Sequence, residues 1–326
     1  MNMRKLSACI KPLPLKEPFA ITGYVFTVID ALVVEIGQDG VSGTGEAAGV
    51  YYLQENAESM LVQVESVKGR IAEGASRTEL LNLLPVGGAR NAIDCALWDL
   101  ECKLSGKSIW ELTGIKMQLV NTVMTVGIGT TEVMAAKAAS LDSRHIKVKL
   151  SAEDPLERMQ AICNARPDAE IVVDVNQGWD FQQLIEMAPE FARLGIKMIE
   201  QPLKRGGDAE LEAYDPPIPL CADESCLDSS EFEAASRRYQ MINIKLDKTG
   251  GLTEALNLAQ LVKNKGMGLM VGNMVGTSLA MAPGLVVAQL CDFVDLDGAL
   301  ALVKDCDHPM KYDGGLVRGL SSKLWG

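Results

Sequence analysis

Histidine is almost absent from this chain of 326 residues: only His145 and His308 occur. That excludes catalysis built on several histidines and leaves a serine–histidine–aspartate triad little to draw on. Excess basic charge is missing as well. At a net charge of -12 the chain lacks the basic surface that non-specific nucleic-acid or anionic-membrane binding needs, so neither is expected as a partner. No apolar run reaches the roughly 18 residues of a membrane span. Leu6-Ser7-Ala8-Cys9 imitates a lipoprotein signal, but between Lys5 and Cys9 there is no room for the roughly 7 to 15 apolar residues of such a signal. The segment reads as the first strand of a cytoplasmic protein.

Eight cysteines occur, scattered without the framing of a small disulfide domain or the spacing of a zinc knuckle, so free and mostly buried thiols are expected. What remains is an ordinary globular composition long enough for one large or two ordinary domains. Residues 4 to 36 read as strand, turn and strand, with Pro12, Pro14 and Pro18 breaking the first, an apolar loop over Phe19–Phe26, and a strand over Ala31–Ile36. Gly43-Thr-Gly45-Glu-Ala-Ala-Gly49 is one residue too long for a dinucleotide fingerprint and is read as a hairpin and loop. Helical periodicity follows over Glu55–Glu73, Thr78–Leu84 and Ala89–Lys103, the last with Ala92, Ile93, Ala96, Leu97 and Leu100 on one stripe.

From residue 119 the pattern alternates strand and helix. Eight short apolar strands, from Asn121–Val126 to Phe293–Leu296, predict a parallel barrel. The expected fold is α/β: a (β/α)7β TIM-type barrel over residues 119–298, an α+β capping domain over 1–118, and a tail over 299–326 that returns to the capping domain.

In the strand His145–Leu150, Lys147 and Lys149 point to one face, where mutual repulsion and burial are expected to lower their pKa values. The next strands end in Asp174, Glu200, Asp223 and Lys245. Functional side chains of such a barrel gather at the C-terminal strand ends, so three carboxylates flanked by lysines would open on one mouth. Taken singly, each acid also reads as a helix cap or an exposed loop charge; five matched strand ends in succession do not. Three hard oxygen donors on neighbouring strands suit magnesium.

These residues, with Asn243-Ile-Lys245-Leu-Asp-Lys-Thr-Gly-Gly251 and Ala96-Leu-Trp-Asp-Leu100, resemble the muconate-lactonizing subgroup of the enolase superfamily. Asp295-Leu-Asp297-Gly298 is similar to the motif of its dipeptide epimerases. The resemblance implies an isomerase that moves the α-proton of a dipeptide's C-terminal residue through an enediolate, with Mg2+ held by Asp174, Glu200 and Asp223. Lys149 and Lys245 would serve as base and acid on opposite faces, Lys147 would add charge, and Asn176 would support the metal site. Asp295 and Asp297 would hold the dipeptide's ammonium group, with Thr125 and Asn273 as further substrate contacts. Members acting on L-Ala-D/L-Glu carry an arginine in a first-domain loop. In Thr22-Gly-Tyr-Val-Phe26 no cation occurs, Phe26 stands at about that place, and an apolar second residue lying against Tyr24 and Phe26 is expected. Arg90 or Lys16 could stand in for the arginine, which keeps an L-Ala-D/L-Glu epimerase in contention. An o-succinylbenzoate synthase, cycloisomerase or dehydratase on the same scaffold would leave Asp295 and Asp297 without a cation to hold. A non-catalytic binding protein would leave the lysines unexplained. A homo-oligomer is compatible with the sequence.

Overall fold

A computed structural model describes residues 3–21 and 23–326. Thr22 of the expected specificity loop, and Met1 and Asn2, lie outside the described residues.

The capping domain starts with β1 (Lys5–Ile21) and β2 (Tyr24–Gln38), a long antiparallel hairpin running from Lys5 opposite Gly37 to Ile21 opposite Tyr24. Its prolines do not break it, contrary to the sequence expectation. The reason is position: β1 is the edge of the sheet β1-β2-β3, where one side of the strand needs no N–H, and the register absorbs the remainder in a bulge between Pro14 and Phe19. The expected loop over Phe19–Phe26 is thus a hairpin tip. After β3 (Val41–Ala47) come α1 (Ala57–Ala72), α2 (Arg77–Leu83), α3 (Gly88–Ser105) and α4 (Ile109–Thr113). Capping boxes at Asn56/Ser59 and Ser76/Glu79 start the first two helices. Helix α3 lies on β3 so closely that a Cβ on Gly43 or Gly45 would stand 2.2 Å from Ala96 O or 2.1 Å from Ala92 O. The glycines read as a hairpin and loop are therefore the floor on which this helix packs.

The barrel follows β4 (Val120–Asn121), which pairs instead with the tail. Its units are β5 (Met124–Val126), α5 (Thr131–Ser140), β6 (His145–Lys149), α6 (Pro155–Ala165), β7 (Glu170–Asp174), α7 (Phe181–Arg193), β8 (Ile199–Glu200), β9 (Leu220–Ala222) and α8 (Phe232–Ala235). It closes with β10 (Met241–Lys245), α9 (Leu246–Thr249), α10 (Leu252–Asn264), β11 (Gly268–Gly272), α11 (Ser278–Ala288) and β12 (Phe293–Val294). All eight strands from β5 to β12 are parallel and lie in sequence order. The two edges meet where Val123 N donates to Val294 O and Leu296 N to Thr122 Oγ1. Alternation along each strand sends Ile146, Val148, Ile171, Val173, Ile242 and Ile244 outward into the main core. The inward set Val123, Val172, Met198, Cys221, Met241 and Met270 packs as an apolar floor that fills the barrel from below.

Among the described residues no helix follows β12 except a 3-10 turn, as the short remainder of the chain predicts. β13 (Tyr312–Asp313) and β14 (Leu316–Val317) pair with each other, β14 pairs with β4, and buried Trp325 donates Nε1 to Cys95 O on α3. The capping domain is also clamped to the barrel by buried polar groups. Arg90 donates to Gly250 O and Thr249 O, Glu46 accepts from Thr277 N and Oγ1, and Asp94 accepts from Thr253 N and Oγ1.

Burial pushes the Asp94 carboxyl up to about 6 against the opposing pull of the Thr253 bonds. The folded chain thus binds this proton more tightly than the unfolded chain, so the associated stability is complete below about pH 4 and is lost as pH rises through 6. Asp94→Asn should flatten the fall in unfolding free energy between pH 4 and 7 by roughly 3 kcal/mol, measured by urea denaturation. An unchanged profile would show that Asp94 does not titrate there.

Candidate active site

Strand register assembles the charged side chains. Lys149 pairs with Asp174, Asp174 with Glu200, and Glu200 with Cys221, so Asp223, two residues beyond Cys221, returns to the same inward face. The ring continues through Asn243 and Lys245 on β10 and Asp295 just beyond β12. Gly272 supplies the space on β11: a Cβ there would lie 2.8 Å from Asn243 Nδ2 and 3.0 Å from Lys245 Cε.

Lys149 Nζ donates to Asp174 Oδ2 at 2.6 Å and Asn176 Oδ1 at 3.1 Å, while Lys245 Nζ donates to Asp223 Oδ2 at 2.6 Å. The two lysines therefore stand at opposite ends of the carboxylate row, each tethered to its nearest acid. Lys147 lies one layer deeper, 3.0 Å from Asp174 Oδ2, 2.7 Å from Glu200 Oε2 and 2.8 Å from Asp295 Oδ2. Burial pulls the Lys147 ammonium down, but Asp295, Glu200 and Asp174 outweigh it and hold the group well above the usual lysine range. Lys245 is likewise raised, with Asp223 and Glu200 overcoming burial. The expected lowering of Lys147 by its neighbouring lysine is thus corrected: carboxylates, not Lys149, are its nearest charges. Asp174 shows the reciprocal effect. Burial opposes its ionisation, yet Lys149, Lys147 and Lys245 hold it at about 2.

Among the described residues no three acids, histidines or cysteines converge as a ready cage, because Lys147 stands among the carboxylates. Two buried oxygens, Glu200 Oε2 and Asp223 Oδ1, lie 2.7 Å from the ammonium groups of Lys147 and Lys248 and have no other polar partner. Donor type, burial and these two oxygens fit a hard divalent cation.

Sequence reasoning missed the residues that hold the acids. Asn243 donates to Glu200 Oε1 at 2.6 Å, and strand alternation from Lys245 was enough to find it. Lys248, wholly buried, reaches Asp223 O at 2.5 Å, Asn243 O at 2.8 Å and Cys226 O at 3.1 Å. Gln201 sits in the left-handed region at φ 37° and accepts from Asp223 N and Ser225 N through Oε1. Its Nε2 donates to Leu203 O, Ser225 Oγ and Tyr239 OH. Nothing local in the sequence marks these long-range bonds. Glu224, beside Asp223, is pushed up to about 8 by burial and by the charges of Asp223 and Asp174.

Above this layer opens a cavity of about 510 Å3. Lys149, Asn176 and Lys245 border its depth, and Thr125, Asn273, Asp295 and Asp297 border one side. Asp297 accepts from Thr125 N at 2.9 Å, and Asn273 Nδ2 donates to Asp295 O at 2.6 Å. Burial and then the charge of Asp295 push Asp297 up to about 7, so a cation between the two would relieve their repulsion. Phe19, Ile21, Phe26 and Ile29 of the hairpin form an apolar wall. Tyr24 is absent from the lining; it is exposed and stacks on Phe26 at 6.0 Å. Tyr51, which sequence reasoning overlooked, does line the cavity, 5.4 Å from Phe26 and edge-on to it. Of the two candidate substitutes for an arginine, Arg90 is spent on carbonyls at the domain junction, whereas Lys16 borders the cavity and donates to Leu300 O.

Residues 5–114 match the family described as mandelate racemase / muconate lactonizing enzyme, N-terminal domain, and residues 132–318 match enolase C-terminal domain-like. The chain is 41% identical over 317 residues to L-Ala-D/L-Glu epimerase of Escherichia coli, covering 96% of this chain and 99% of that protein. It is 43% identical over 250 residues to N-acetyl-D-glutamate racemase of a Pseudoalteromonas species, covering 76% and 79%. A crystal structure of an Agrobacterium tumefaciens enolase family member, with bound sodium and L-Ala-L-Glu, superposes with a TM-score of 0.96 at 39% identity, covering 99% and 100%. A dipeptide epimerase from Enterococcus faecalis, complexed with Mg and L-Leu-L-Tyr, superposes with a TM-score of 0.92 at 26% identity, covering 100% and 99%.

Lys248 offers a direct test of how the site is held. Lys248→Met leaves three buried carbonyls without their donor and Asp223 with Lys245 as its remaining ammonium contact, and should cost about 3–5 kcal/mol of unfolding free energy. Urea titration checks it. A loss under about 1 kcal/mol would show that these contacts are dispensable.

Proposed function

We propose, because the chain belongs to the mandelate racemase/muconate lactonizing enzyme family of the enolase superfamily, that it is a magnesium-dependent dipeptide epimerase favouring an apolar second residue. One observation carries this reading: a single cavity has two lysines at its depth, an acidic pair at one side and an apolar wall over it. A dipeptide presents matching groups in that order: an α-carbon beside a carboxylate, an ammonium group and a side chain.

In this reading Asp174, Glu200 and Asp223 would hold Mg2+. When bound, the ion supplies positive charge against a substrate carboxylate on which negative charge grows. Lys149 and Lys245, at opposite ends of the acid row, take the α-proton on one face and return a proton on the other. Asp295 and Asp297 bind the ammonium, Thr125 N orients Asp297, and Asn273 orients the turn at Asp295. Asn176 holds Lys149 beside Asp174. Lys147 neutralises the acids from below and so lets them share one buried site.

The relatives differ in side chain, glutamate in one crystal complex and tyrosine in another. Here Phe19, Ile21, Phe26 and Ile29 favour the apolar case. Burying an apolar side chain against them gains roughly 1.5–3 kcal/mol, whereas a carboxylate without a buried cation loses several. An acidic side chain has Lys16 and Lys137 to draw on, since both border the cavity. Both are exposed, so water weakens that attraction.

Two experiments test this. In D2O with magnesium, Lys149→Ala and Lys245→Ala should each lose about 10²-fold to 10⁴-fold of the epimerisation rate, while each still exchanges the α-proton of one epimer. Equal exchange of both epimers in either variant, or activity after complete chelation, contradicts the two-base metal site. For specificity, kcat/KM should be higher for L-Ala-L-Phe and L-Ala-L-Leu than for L-Ala-L-Glu, with no turnover of N-acetyl-glutamate. Preference for L-Ala-L-Glu would assign Lys16 or Lys137 to the side chain, and turnover of the acetylated amino acid would remove the ammonium role of Asp295 and Asp297.

A further inference from the structure

Asp247 lies two residues past Lys245, inside α9, and its side chain leaves the barrel. The carboxylate is 6% exposed and its Oδ1 accepts two backbone N–H groups of the capping domain, Ala48 at 3.0 Å and Gly49 at 2.8 Å. These partners are nearly 200 positions away in sequence and themselves line the substrate cavity. Gly49 has φ +80°, and a Cβ there would meet Met60 and Glu55 at 3.1–3.2 Å, so the turn accepts this conformation only with glycine. From its far side the same loop is held by Glu55, which accepts from Val50 N and from Gly88 N at the start of α3. Tyr51 follows directly. Its ring meets Tyr24 at 4.6 Å, Phe26 at 5.4 Å and Tyr52 at 5.2 Å. The tip of the β1–β2 hairpin thus rests on Tyr51, and Tyr51 stands on a loop fixed by Asp247.

We infer that Asp247 is a positioning residue for substrate selection: it ties the loop carrying Tyr51, and through it the Phe26 wall, to the strand end that carries Lys245. Chemistry and selection are then mounted on one rigid turn, with Lys245 facing into the barrel and Asp247 facing out of it. Enclosure pushes the Asp247 carboxyl up to about 7 against the opposing pull of the Gly49 and Ala48 bonds, and its task at the junction is to accept those two N–H groups. An amide oxygen at the same place can accept both.

The kinetic side of this inference rests on the dipeptide reading; the structural side does not. Hydrogen exchange followed by mass spectrometry is the first measurement. In Asp247→Ala, amides of residues 47–53 and of the hairpin tip should exchange about tenfold faster, with residues 170–175 of β7 unchanged and Asp247→Asn close to the parent. If the alanine variant does not fold, Asp247→Glu, which displaces the carboxylate by one methylene, should give the same loosening. The second measurement is the ratio of kcat/KM for L-Ala-L-Phe to that for L-Ala-L-Ala. It should fall about tenfold in Asp247→Ala and be kept in Asp247→Asn, because only the larger side chain touches the aromatic wall. Unchanged exchange over 47–53, faster exchange spread equally to β7, or failure of the asparagine variant to restore either quantity would overturn the inference. If the parent protein turns over no dipeptide, the functional reading fails while the exchange data still decide the role of Asp247.

Discussion

Everything at the mouth of this barrel depends on burying ionised groups without leaving any of them alone. Lys147, Lys149, Lys245 and Lys248 face Asp174, Glu200, Asp223 and Asp295, and all eight are at most 8% exposed. An isolated charge at that depth would cost several kcal/mol, so the layer persists only because each ammonium group touches a carboxylate. The floor of Val172, Met198, Cys221, Met241 and Met270 beneath it keeps water out and strengthens every one of those contacts. Neutralising Asp223 leaves both Lys245 and Lys248 without their carboxylate, and neutralising Lys147 leaves Glu200 and Asp295 without their ammonium group, so such a loss is felt in folding.

This layer was legible in the sequence for a geometric reason. Inward and outward residues alternate strictly, strand ends fall at regular spacing, and a charged residue ending an otherwise apolar strand stands out. Lys147, Lys149, Asp174, Glu200, Asp223 and Lys245 all carried that signal. The residues that support them did not. Gln201 and Lys248 act through bonds to backbone atoms, and backbone acceptors leave no trace in residue type. The same holds for Gly43 and Gly45, whose meaning comes from a helix about 50 residues later. Prolines in β1 misled because their effect depends on which side of a strand is paired, a property of the sheet and not of the strand.

The hairpin tip shows the limit from another side. Sequence position suggested that Tyr24 and Phe26 would both lie beside the second residue's side chain, and the strand does keep the two rings on one face, but how far along that face the cavity reaches is not a property of the strand. Near the tip the two rings are stacked, Phe26 lines the cavity, and Tyr24 lies outward as its support. Tyr51 completes the wall from a loop with no periodic pattern at all.

Division of labour between the two domains follows from these contacts. In the proposed dipeptide reading, the barrel would supply the groups that act on the α-carbon and the backbone ends of a substrate, and the capping domain would supply the surface for its side chain. Their junction includes, beside Arg90, three carboxylates accepting backbone N–H groups, at Glu46, Asp94 and Asp247, and such bonds fix distance and direction more narrowly than apolar packing does. Hydrophobic contact alone would allow the cap to slide by an ångström and the cavity to change shape with it. With three directional anchors, residues on the hairpin tip can be exchanged without disturbing the lysines. Selectivity can therefore vary among chains that share this barrel while the reaction stays the same, which fits relatives whose crystal complexes hold dipeptides as different as L-Ala-L-Glu and L-Leu-L-Tyr.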